Sequence, residues 1–174
     1  MASIGHVAIG MATARWRAEP LGSRGALAAS MLLWSLLSLL PDADVLGFAW
    51  GVPYGAPWGH RGATHSFAFA AALGVAAGLL AACTRLPPLA TAITAARVLA
   101  SHPLLDILTD GGRGCALFWP FDDTRHFAPV RPIPVAPIGF GFLSQRGLRV
   151  ALVELGLFAP LLLYALWPRP QRSS

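Results

Sequence analysis

In the stretch Ser101-His102-Pro103-Leu104-Leu105-Asp106, an imidazole and a carboxylate stand four residues apart. Four residues of α-helix turn through about 400°, so the two side chains rise from one face, roughly 40° apart. Neutral imidazole nitrogen and carboxylate oxygen are both ligands for zinc and similar divalent ions, so the pair could share one ion. The same spacing also suits a plain imidazole–carboxylate hydrogen bond that ties down a helix end. Pro103 fits best in a first helical turn, which leaves His102 as a cap or at a kink. The choice between metal site and structural pair depends on where the other histidines and aspartates fall: His6, Asp42, Asp44, His60, His65, Asp110, Asp122, Asp123 and His126.

The elements that must position these groups are strongly apolar. The 174-residue chain is 55% hydrophobic and only 12% charged, with a mean hydropathy of +0.58. Soluble domains carry about 25% charged residues, so the composition points to lipid. All 13 basic residues are arginine, and the net charge of +5 fits arginines at membrane interfaces. No stretch has the basic, aromatic-interleaved look of a nucleic-acid surface, so no nucleic-acid binding is expected. Cys83 and Cys115 have neither metal-type spacing nor the look of a disulfide framework.

In chain order, residues 3–14 form a short apolar helix carrying His6, below the roughly 20 residues of a full span. They lack the basic start of a signal peptide and read as part of the mature protein. A loop over 15–25 holds Arg15, Arg17 and Arg24, with Pro20 and Gly22 as breakers. Strong apolar segments follow at 26–40, 67–83, 89–108 and 148–167. Between the first two lies a Gly/Pro/Trp-rich stretch, and 84–88 is a tight turn. Residues 110–147 form a long, irregular Pro- and Gly-rich segment of the kind that usually carries function. Arg97 and Glu154 are charges inside apolar helices and could pair. The expected fold is all-α: one domain over 1–174, an integral membrane bundle of four to five hydrophobic helices, multi-pass.

If the helices alternate direction, the chain start, residues 41–66 and residues 101–147 share one membrane face. Every histidine and every aspartate then falls on that face. Polar groups are costly near lipid unless paired or metal-bound, so this convergence favours a metal site. The arginines divide evenly between the faces and do not orient the chain. Each residue also has a plainer reading. Asp42 and Asp44 follow a helix end, where the dipole disfavours carboxylates, and could instead cap the next turn. His65 has Thr64 and Ser66 beside it as alternative caps, which favours a ligand role. His60 and Arg61 lie in a glycine-rich loop and could be solvated, although Arg61 suits an oxyanion or phosphate clamp. His126 with Asp122 and Asp123 reads as a solvated loop, and the tryptophans read as interfacial anchors.

Four pieces, in order, resemble the YdjM-type family of bacterial inner-membrane proteins, described as membrane-bound metal-dependent hydrolases. They are Gly5-His6, Leu40-Pro41-Asp42-Ala43-Asp44, His60-Arg61-Gly62-Ala63-Thr64-His65-Ser66 and Ser101-His102-Pro103-Leu104-Leu105-Asp106. The pattern is more distantly similar to the zinc-dependent phospholipase C and P1-type nuclease group. That resemblance implies a first ion held by Asp42 or Asp44, His65, His102 and Asp106, and a second held by Asp106 and His6. A third site has no equivalent, because His126 is isolated, so one or two divalent ions, zinc foremost, are expected.

The implied chemistry is metal-assisted hydrolysis, in which a bound ion lowers the pKa of water toward neutrality. Whichever of Asp42 and Asp44 is not a ligand could orient or deprotonate that water, and Arg61 could neutralise a phosphate. A site at the lipid boundary suggests an amphiphilic phosphoester such as a phospholipid or lipid-linked phosphate. Two rivals use the same residues: a metal or proton transporter, and a structural membrane protein whose polar groups only cap and pair. Transporter sites sit near the midplane in broken helices, whereas these candidates cluster at helix ends.

Overall fold

The computed structural model describes residues 3–17 and 23–168. The breakers Pro20 and Gly22 lie outside the described residues, as do Glu19, Arg169 and Arg172. Five α-helices appear in the described residues: α1 (Ser3–Arg17), α2 (Arg24–Leu39), α3 (Phe67–Ala82), α4 (Pro88–Asp106) and α5 (Gln145–Leu166). The all-α expectation holds. Serines start three of the helices, because their hydroxyls accept a first-turn N–H that has no partner within the helix. Ser23 accepts from Ala26, Ser66 from Phe69 and Ser144 from Gly147. Through this last cap α5 begins at Gln145, three residues before the apolar run that marks it in the sequence.

Two segments are long and apolar enough to cross a membrane: Arg24–Trp50, in which α2 runs on into a 3₁₀ helix at Leu40–Trp50, and α5. Their outward leucines, among them Leu32, Leu33, Leu152 and Leu163, are exposed, as lipid-facing residues must be. The other two expected spans fall short of the same test: α3 has 16 residues, and α4 lacks the combined length and apolarity.

Small residues let the helices approach closely. α1 packs on both α2 and α5, and α3 pairs with α4. A Cβ at Gly10 would lie 2.4 Å from the Ser35 Cα, and one at Gly74 would lie 2.7 Å from the Ala96 Cβ. A small core of Ala14, Trp34, Ala95 and Val98 locks α1, α2 and α4 together. The result brings the start of α1, the end of α2 and the end of α4 to a common level.

The segment after α4 is irregular, as expected, apart from a 3₁₀ turn at Gly139–Leu143. It is strapped to the rest of the chain by backbone hydrogen bonds. Ala116 donates to Arg61, Phe67 to Leu117, and Thr109 and Cys115 bridge to Ile133 and His126. The segment thereby clamps the 53–66 loop from outside.

Candidate metal centre

α4 continues through Pro103 to Asp106, so His102 lies inside its last turns and not at a cap. The expected His102–Asp106 alternative, a hydrogen bond along the helix, does not form. The His102 Nδ1 instead donates to the Ser38 carbonyl of α2, at 2.7 Å. That bond fixes the tautomer and leaves the Nε2 lone pair facing the cluster. His65 is set the same way. Its Nδ1 faces Asp44 Oδ2 at 3.2 Å and Thr64 Oγ1 at 3.0 Å, and its Nε2 faces inward.

The two Nε2 atoms lie 3.1 Å apart. With both Nδ1–H groups committed to acceptors, neutral rings would set two lone pairs against each other, so either a proton on His65 or a metal ion stands between them. Asp42 closes the third side, its Oδ1 3.5 Å from the Nε2 of both His65 and His102. Asp106 closes the fourth, its Oδ2 3.6 Å from His65 Nε2. One donor atom from each of Asp42, His65, His102 and Asp106 lies within 4.8 Å of all the others.

Spacings of 3.1 to 3.6 Å are mostly too long for hydrogen bonds. They match the edges of a tetrahedron whose centre is about 2.0–2.1 Å from each ligand, roughly 3.3–3.4 Å. Both Asp42 carboxylate oxygens are buried without a hydrogen-bond partner among the described residues, a costly state for a carboxylate in the absence of a cation. Among the described residues, Arg61 is the arginine that faces the carboxylates of the cluster, its Nε 3.1 Å from Asp106 Oδ2. Burial would lower the His65 pKa, but Asp106, Asp42 and Asp44 around the ring overcome it and raise it to about 10. A proton on His65 thus stands where a metal ion's charge is wanted. The donor set and spacing fit one divalent ion.

His6 is fully buried and stacks on His102, with ring centroids 3.7 Å apart. Its Nε2 lies 3.4 Å from Asp106 Oδ1, so a second position would have these two donors among the described residues.

Asp42 and Asp44 separate in role because a 3₁₀ helix turns about 120° per residue, which sets residues two apart on different sides. Asp42 faces the four-donor cluster. Asp44 faces the 60–64 loop, where Oδ1 accepts from His60 Nδ1 at 2.7 Å. Its Oδ2 accepts from the Thr64 hydroxyl at 2.7 Å and the Arg61 N–H at 3.1 Å. His60, open between loop and ligand in the sequence, is thereby part of the buried network.

Arg61, expected as an anion clamp, is fully buried with its guanidinium turned onto protein groups. Nε lies 3.1 Å from Asp106 Oδ2, Nη1 donates to the Gly111 carbonyl and Nη2 to the Thr109 hydroxyl, both at 2.9 Å. Its backbone is left-handed, at φ 65°, a strained state for a non-glycine residue that these contacts hold in place.

Asp110 is exposed, and His126 bridges to Cys115 away from the cluster. Glu154 does not pair with Arg97, which is exposed. It accepts the Ile4 N–H at 2.7 Å and so holds the first turn of α1, two residues from His6. Ser38, Thr109 and Arg125 were not singled out as site residues. Arg125 donates to the His60 and Ala56 carbonyls and so pins the loop. None of the three carries a local signal, because each acts on a backbone group or across a long sequence separation.

The chain matches the family of YdjM inner membrane proteins over residues 1–171. It is 39% identical over 131 residues to the inner membrane protein YbcI of Escherichia coli (strain K12), covering 69% of this chain and 70% of that protein. No solved structure matches, so the likeness to the phospholipase C and P1-type nuclease group rests on the ligand pattern alone. With its helical fold, its two membrane-length segments and its buried histidine–aspartate cluster, this chain belongs to the YdjM family of inner membrane proteins.

Proposed function

We propose that the protein is a multi-pass, membrane-bound, metal-dependent hydrolase that acts on an amphiphilic phosphoester. The observation that carries this reading is the four-donor cluster of Asp42, His65, His102 and Asp106, at donor spacings suited to one small divalent ion. Zinc suits two imidazoles and two carboxylates. When bound, such an ion supplies Lewis acidity and an acidified water.

The chain's own residues supply the rest. Ser38 and Asp44 fix the tautomers of His102 and His65, and Arg61 holds Asp106 against its neighbours. We assign Asp44 and Arg61 to positioning, with Asp42 as the ligand of the Asp42/Asp44 pair. His6, stacked on His102, borders the cluster on the α1 side, where a weaker second ion would have Asp106 and His6. His102 and Asp106 sit in the last turns of α4, and Asp42 lies where α2 passes into its 3₁₀ continuation within the membrane-length Arg24–Trp50 segment, a placement beside lipid that suits a substrate with an apolar tail.

The test is turnover of a panel of long-chain phosphomonoesters and phosphodiesters by the zinc-loaded protein in nanodiscs. Hydrolysis that His65→Ala and His102→Ala both abolish, with folding retained, supports the reading. Metal-dependent flux into proteoliposomes without hydrolysis of any of these esters would instead establish the transporter.

A further inference from the structure

Near the start of α5, Arg146 and Arg149 line a cleft of about 220 Å³ together with Asp110, Val135, Val150 and Val153. Among the described residues neither arginine has a carboxylate within ion-pair distance. Asp110 is the one acidic group lining the cleft, and its Oδ1 accepts the Val135 N–H at 2.7 Å. Two guanidinium groups in the first turns of a helix also add to the positive end of its dipole, where cations are disfavoured. The cleft is therefore positive beyond what its own residues balance.

Its surroundings are apolar. Phe140, Leu143 and Leu148 are exposed around the α5 start, and α5 itself is long and apolar enough to cross a membrane. Arginine forks match phosphate oxygens, and basic clefts beside membrane helices bind anionic headgroups. We propose that this cleft binds the phosphate headgroup of an anionic phospholipid, whose acyl chains lie along the exposed apolar face of α5. None of the four donors Asp42, His65, His102 and Asp106 lines this cleft. It does not depend on the hydrolase reading.

Native mass spectrometry of the full chain, with phosphatidylglycerol and phosphatidylcholine offered at equal concentration, tests the site. Each arginine near an anionic membrane surface contributes roughly fivefold to binding, so Arg146→Gln with Arg149→Gln lowers phosphatidylglycerol retention about twenty-five-fold. Asp110→Asn keeps the oxygen that accepts from Val135 and removes the opposing charge, so it raises retention. The single variants, about fivefold each, serve if the double variant does not fold, with a thermal melt in detergent as the folding control. Equal retention of the two lipids, or phosphatidylglycerol retention unchanged in the arginine variants, would overturn the proposal. Millimolar inorganic phosphate that binds at the arginines while the lipids are not discriminated would also overturn it, by making free phosphate the ligand.

Discussion

Asp44→Asn is the substitution that best separates the positioning residues from the ligands. Asp44 receives three hydrogen bonds on two oxygens: His60 Nδ1–H on one, and the Thr64 hydroxyl and Arg61 N–H on the other. An amide is nearly isosteric but has one oxygen, so either orientation turns its NH₂ onto a donor. The carboxylate that keeps His65 Nδ1 protonated also becomes neutral, at a starting separation of 3.2 Å. The ligands themselves remain. Loss of such an outer partner costs about 10- to 100-fold in metal affinity, or about 1.4–2.7 kcal/mol. Competition with a chromophoric zinc chelator, followed in detergent at fixed pH, reads this directly. The expected result is full stoichiometry at weaker affinity. Unchanged affinity would refute the positioning role, and complete loss of binding would make Asp44 a ligand in place of Asp42.

Three other outcomes follow from the same geometry. Arg61→Ala leaves buried Asp106 without the guanidinium 3.1 Å away, and breaking a buried pair in this way costs about 3–5 kcal/mol; a thermal melt in detergent should show a large loss in the ion-free protein. His65 has its pKa raised to about 10 in the ion-free fold. Its stabilising contribution is complete below about 6.5 and lost as pH rises through 10, so ion-free protein should weaken between pH 7 and 10. Ion uptake displaces that proton, and chelator competition should show affinity falling as pH falls. Glu154→Ala removes the acceptor of the Ile4 N–H and should cost about 1–3 kcal/mol in the same melt, whereas Glu154→Gln retains most of the stability.

The helices were legible because apolar runs and the tight turn at 84–88 are local signals. The site was legible where a helix alone set the geometry: His102 and Asp106 share a face whatever surrounds them. Asp42 and Asp44 could not be told apart, since the choice depends on which carboxylate meets His65 and His102 and which meets His60 and Thr64, partners that lie well away in sequence. Arg61 was read as a clamp because its partners, Asp106, Thr109 and Gly111, lie about 50 residues away across the strapping segment. His60 looked solvated for the same reason: Asp44 and the Arg125 guanidinium that enclose it come from other parts of the chain. Glu154 seemed to need a charged partner, yet the free N–H groups of a helix start satisfy a buried carboxylate equally well.

The central claim is that Asp42, His65, His102 and Asp106 together hold an ion. It is tested most directly by elemental analysis of detergent-purified protein beside His102→Ala and Asp106→Ala, both checked for folding. One tightly held equivalent of zinc or a similar divalent ion in the wild type, absent from both folded variants, is the predicted result. No bound ion in the wild type after reloading with zinc, manganese or magnesium would contradict it and leave the cluster as a network of buried ion pairs.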